Sequence, residues 1–204
     1  MSKPRGSLLA SNATSLSNDF SFNLDNGVEA LDRPPVIYLN INPGAYPKGF
    51  NQKEFKNSLK ERLIQNGFNS NLQIKNISEG NSLVDWWYDV PTATVNIVNP
   101  SISRGGHANA GGHSRLGSNS AILYNGLNIN GRNRSFPTWM YVNAAMHELG
   151  HGIFGFDHDK NGFTDDPNSI MDYRSGLYKN KIVNFSIKEQ LKIRSSIWGI
   201  WGRY

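Results

Sequence analysis

A chain of 204 residues with 38% hydrophobic, 11% aromatic and 18% charged side chains carries enough apolar material for one soluble domain with its own core, and too little length for two. No apolar run approaches the roughly 20 residues a membrane helix needs, and a net charge of +5 without a long Lys/Arg run reads as a solvated basic surface rather than a nucleic-acid footprint. The absence of cysteine excludes disulfides and thiolate metal ligands.

Residues 1–35 are rich in Ser, Asn and Asp and close on Arg33-Pro34-Pro35, the composition of an extension or pro-segment ahead of a domain over residues 36–204. Leu8, Leu9 and Ala10 form too short an apolar stretch for a signal peptide. A secreted or otherwise exported bacterial protein is nevertheless the expectation. Residues 36–41 are β-branched and aromatic and predict a strand. Asn51 with Glu54 caps a helix whose apolar face is Phe55, Leu59 and Leu63 and which Asn66-Gly67 ends. Leu72, Ile74 and Ile77 predict the next strand, completing a β-α-β unit.

Trp86, Trp87 and Tyr88 stand together without interleaved basic residues, which favours packing over a platform for bases. Residues 92–98 predict a strand, the Gly-rich stretch 104–117 follows, and residues 121–124 form a second short apolar run. A helical pattern then covers residues 139–154. Ser186 with Glu189 forms a capping box that opens a last helix with Ile187, Leu191, Ile193 and Ile197, ending near Gly199.

The helix over 139–154 carries His147-Glu148-Leu149-Gly150-His151. Two histidines four apart stack on one helix face and can reach one metal, while Glu148 lies beside that metal as a general base for water. Gly155 ends the helix and swings the chain back, so that a third ligand follows. Three residues, not the usual two, separate His151 from Gly155. Counted from His147, the third ligand is Asp157; counted from the glycine it is His158, the reading favoured because Gly-x-x-His is the unit whose shape matters. Three protein ligands leave a position open, the mark of catalytic rather than structural zinc. Asp157, Asp159, Asn161 and Gly162 imitate the first half of a calcium loop, but Asn168 stands where the closing Glu belongs, so Ca2+ is disfavoured and a hydrogen-bonded turn expected.

With Ser169-Ile170-Met171-Asp172-Tyr173 behind it, resembling a Met-turn, the chain from about Val36 onward resembles the metzincin zinc peptidases. Gly155-Phe156-Asp157-His158 and the last helix are similar to matrixins, and Met171-Asp172-Tyr173 to pappalysins and astacins. The resemblance implies an α+β, zincin-like fold: a twisted, mostly parallel sheet with two helices above a substrate cleft (residues 36–158), and an irregular lower subdomain with a C-terminal helix (159–204). It implies a zinc endopeptidase with His147, His151 and His158 as ligands, Glu148 as base, Met171 beneath the metal and Tyr173 as an oxyanion partner. Gly106, His107 and Ala108 match the edge strand that pairs with substrate. A monomer acting on protein or peptide is expected. The alternatives are a non-catalytic binding or toxin module on the same scaffold, and a zinc hydrolase acting on cell-wall peptides or amides.

Overall fold

The computed structural model describes residues 34–79, 90–99, 111–129, 132–134, 136–176 and 179–200. Within them β1 (Val36–Ile41) lies parallel to β2 (Gln73–Asn76) on one side and to β3 (Thr92–Val98) on the other. A two-residue β4 (Gly112–His113) runs antiparallel to β5 (Ser120–Tyr124), which is itself parallel to β3. The order is β2-β1-β3-β5-β4, a mostly parallel, mixed five-stranded sheet in an α+β fold. A separate hairpin joins β6 (Leu127–Ile129) to β7 (Arg132–Arg134).

The alternation along β3 explains which face is covered. Ala93, Val95 and Ile97 are buried with Ile37 and Leu39 of β1 and Ala121 and Leu123 of β5, all in one apolar cluster. The intervening residues are polar: Asn40 donates to Asn96 at 3.0 Å, and Asn96 to Ser120 Oγ at 3.3 Å, a ladder across three strands. Helix α1 (Gln52–Gln65) starts where Asn51 Oδ1 accepts from Glu54 N–H at 3.0 Å, and buries Phe55, Leu59 and Leu63 completely. Helix α2 (Thr138–Phe154) is buried around most of its circumference from Tyr141 to Gly152, as a helix enclosed by protein must be. Both helices share the apolar cluster with the sheet.

After α2 the described residues up to Ser186 are irregular apart from a 3-10 turn at Tyr173–Ser175. They are fastened to the helices by polar side chains. Arg62 of α1 donates to Asn143 Oδ1 of α2 at 2.8 Å and to the Val183 carbonyl, and Asn66 Oδ1 accepts from Phe185 N–H at 2.9 Å. The chain then forms α3 (Ile187–Arg194), opened by the Ser186–Glu189 capping box, and the short α4 (Ile197–Ile200).

Two expectations need correction. Ile77 lies in a 3-10 turn after β2 and is 47% exposed, because the strand ends at Asn76, where the Glu79 carboxylate takes the Asn76 N–H at 3.0 Å and turns the chain out of the sheet. The last helix is also broken, at Ser195-Ser196, where the Ser196 hydroxyl donates to the Ile193 carbonyl at 2.6 Å. Its buried apolar side chains are Ile193 and Trp198, whereas Ile187 and Leu191, four apart on one face, are 78% and 59% exposed. Ile193 points away from that face, and Trp198 edges onto Phe68 at 6.0 Å, so docking against the end of α1 chose the other side.

Candidate metal centre

Helix α2 brings His147 and His151 one turn apart with their Nε2 atoms 3.1 Å from each other. Both Nδ1 atoms face backbone carbonyls, that of His147 the oxygen of Ile170 at 2.8 Å and that of His151 the oxygen of Phe156 at 2.5 Å. A carbonyl can only accept, so each ring carries its proton on Nδ1 and turns a bare lone pair from Nε2 toward the other. The Phe156 carbonyl is available because Gly155, at φ +60°, takes the left-handed conformation that ends α2 and folds the chain back.

That turn delivers His158. Its Nδ1 donates to the Asp159 carbonyl at 3.0 Å, while its Nε2 is buried without a hydrogen-bond partner among the described residues. Ligand atoms of His147, His151 and His158 all lie within 4.8 Å of one another. The Asp157 carboxylate instead accepts the His158 backbone N–H at 2.9 Å. Three ring nitrogens therefore lie close enough to share one metal ion, with the opposite ring nitrogen of each committed to a backbone carbonyl. Lone pairs this close repel unless a cation stands between them, and a proton is a poor candidate. Burial, followed by the neighbouring His151 charge, pushes His147 down to about 3, and burial also lowers His151. A neutral imidazole trio with open Nε2 atoms is the donor set that a divalent transition metal takes.

Glu148 projects from the same turn and is 6% exposed, and burial raises its carboxyl to about 8. Strand β4 passes beside it, because Gly112 has no side chain: a Cβ there would lie 3.1 Å from Glu148 Cγ and 2.5 Å from the Ile122 carbonyl oxygen. Tyr173 forms an open wall of the trio, its ring stacked on His147 with centroids 5.5 Å apart and 5.0 Å from His158. Burial, with the charge of Glu148 adding to it, raises the Tyr173 hydroxyl above its ordinary value. Met171 is fully buried against α2, where a Cβ on Gly150 would lie 2.6 Å from its sulfur. The Asp172 carboxylate, also fully buried, holds Arg174 at 2.7 Å and accepts from Thr164 N–H at 2.7 Å, and the Arg174 guanidinium keeps it well below the usual carboxylate range.

Gly106, His107 and Ala108 lie outside the described residues, as do the Trp86-Trp87-Tyr88 cluster and the segment ahead of residue 34. His113 Nδ1 meets the Tyr124 hydroxyl at 2.8 Å. Of the calcium-loop imitation Asp157, Asp159, Asn161 and Gly162, the last three lie in a turn over residues 159–163 in which Asp159 Oδ1 accepts from Asn161 N–H at 2.8 Å and Phe163 N–H at 2.9 Å. Neither Gly112 nor this turn was singled out by residue type as part of the site; the only signal was the clustering of glycine in one and of Asp and Asn in the other. Comparison of the sequence with protein-family models and with curated proteins finds no match.

Proposed function

We propose that the protein is a zinc endopeptidase with a metzincin arrangement, using His147, His151 and His158 to hold the metal. The observation that carries this reading is the proximity of one ring nitrogen from each of three histidines, whose rings are each fixed by a backbone carbonyl, with the buried Glu148 carboxyl one residue from His147. The parallel sheet with its antiparallel edge strand, and Met171 packed under the ligand-bearing turn of α2, support the same reading. Zinc held there supplies a Lewis acid that acidifies water and polarises a carbonyl.

The remaining work falls to side chains. Glu148 takes a proton from water on its carboxylate and returns it to the departing amine. Its burial suits this role, because a carboxylate shielded from solvent is a stronger base than an exposed one. The Tyr173 hydroxyl donates to the charge that develops on the carbonyl oxygen. A polypeptide is favoured over a small amide because β4, an edge strand, runs beside Glu148, and extended chains add to sheet edges through main-chain bonds.

The test is digestion of casein and a peptide library by protein stripped with chelator and then reloaded with zinc. Cleavage should vanish and return, and Glu148→Gln should keep zinc while losing about 10²–10⁴-fold in turnover. Full zinc occupancy without cleavage, or undiminished cleavage by Glu148→Gln, would overturn the proposal.

A further inference from the structure

The turn at residues 159–163 touches both sides of the trio, although none of its side chains reaches the three ring nitrogens. The Asp159 carbonyl accepts from the His158 ring at 3.0 Å and from Gly162 N–H at 2.8 Å, so the group that sets the tautomer and direction of His158 is itself held from across the turn. The Asp159 carboxylate closes the turn from the other end by taking the N–H groups of Asn161 and Phe163, and Asp159 N–H donates to the Phe163 carbonyl at 2.9 Å. At the far side the Gly162 carbonyl accepts from Tyr173 N–H at 2.8 Å. Gly162 is at φ +79°, and a Cβ there would lie 2.0 Å from the Tyr173 ring. The ring that stacks on His147 and His158 therefore rests on bare backbone. The turn is anchored in its place by Phe163, which lies under the Arg174 guanidinium at 4.5 Å, and by the Thr164 carbonyl, which accepts from Arg174 at 2.9 Å.

We infer that Asp159 is a positioning residue for the metal centre: its carboxylate locks the 159–163 turn, and the turn sets the His158 ring and the Tyr173 ring together. This rests on the metal-binding reading above. The physical reason is that His158, unlike His147 and His151, does not stand on a helix. Its direction comes from a loop carbonyl, and a loop carbonyl is only as fixed as the bonds around it. Losing the carboxylate removes two of those bonds at once and frees the turn. An amide in the same place keeps an oxygen able to accept both N–H groups, so Asp159→Asn should behave almost as the native residue and Asp159→Ala should not.

The experiment uses the full-length protein stripped of metal and titrated with zinc against a chromophoric chelator, then with Co2+ while the visible ligand-field absorption is recorded. Asp159→Ala should weaken zinc binding about 10–100-fold, the usual effect of removing a partner that orients a ligand, and alter the Co2+ spectrum. Asp159→Asn should stay within a few-fold of the native protein and keep its spectrum. Gly162→Ala, which drives a methyl into the Tyr173 ring, should change the spectrum as well, and it carries the comparison if Asp159→Ala does not fold. Native affinity and spectrum in a folded Asp159→Ala, whatever Gly162→Ala shows, would overturn the inference while leaving the metal site standing, as would a native Gly162→Ala where Asp159→Ala does not fold. Equal loss in Asp159→Asn and Asp159→Ala would overturn it too, since charge rather than the turn would then be at work. A native protein that binds neither zinc nor Co2+ removes the underlying reading, and this inference with it.

Discussion

The contact between Gly150 and Met171 permits a sharp test of how the segment behind the metal site is coupled to α2. Alanine is favoured over glycine in a helix interior by about 1 kcal/mol, so on propensity alone Gly150→Ala should stabilise. The structure opposes this, because the new methyl would lie 2.6 Å from Met171 Sδ and 3.0 Å from the Phe185 ring. Overpacking a filled core costs about 1–3 kcal/mol, and two contacts this short belong in the upper half of that range. The net expectation is destabilisation by about 1–2 kcal/mol, or about 2–8 °C in Tm for a domain of this size. Met171→Ala should cost about 2–5 kcal/mol by itself, since it empties a fully buried site. In the double variant the sulfur is gone, so Gly150→Ala should become close to neutral, a coupling of about 1–2 kcal/mol. Urea unfolding of the four metal-free proteins measures all three values. The reasoning fails if Gly150→Ala stabilises the native background, or if the two substitutions add to within about 0.5 kcal/mol.

Other expectations follow from the same geometry. His158→Ala should lower zinc affinity more than Asp157→Ala, because His158 brings a bare ring nitrogen to the trio while Asp157 is turned to a backbone N–H; titration against a chelator gives the order, and the reverse order would make Asp157 the ligand. Arg62→Ala should destabilise by about 1–3 kcal/mol, since it removes the buried hydrogen bonds from the guanidinium to the Val183 carbonyl and to Asn143 Oδ1; a urea midpoint unchanged from native would contradict this. The Asp172 carboxyl is depressed in the folded state, so its stabilisation is present above the unfolded value of about 4 and is lost as pH falls through the lower folded value. Metal-free Asp172→Asn should therefore be less stable than native at pH 6, and the gap should shrink as pH drops below about 4. A gap that stays constant down to acid unfolding would refute the assignment.

The histidine pair, the neighbouring carboxylate and the helix that carries them were legible because their geometry is local. Residues four apart on a helix share a face whatever the rest of the chain does, and a glycine such as Gly155 can take φ +60° on its own account. The strands at Val36–Ile41 and Thr92–Val98 and the first helix were equally legible, from apolar runs, periodicity and a cap that act over a few residues. Which of Asp157 and His158 joins His147 and His151 was open in the sequence, because both follow the same glycine. The choice depends on how the 157–163 turn closes, with the Asp159 carbonyl taking the His158 ring and the Asp157 carboxylate taking the His158 backbone N–H, a conformation that residue types alone do not fix.

The same division runs through the remaining elements. The sequence named Ile187, Leu191, Ile193 and Ile197 as the apolar residues of the last helix without choosing among them, but burial is decided by what lies opposite, and the end of α1 with Phe68 received Ile193 and Trp198. The need for glycine at Gly112, Gly150 and Gly162 was invisible in the same way, since each stands against a side chain at least ten residues away in the chain: Glu148, Met171 and Tyr173. What the sequence determined by itself is the chemistry available and the pieces that close over short range, because those depend on covalent spacing. What only the tertiary structure decided is which face, which ring and which carbonyl meet, because those depend on distances between segments that no local pattern encodes.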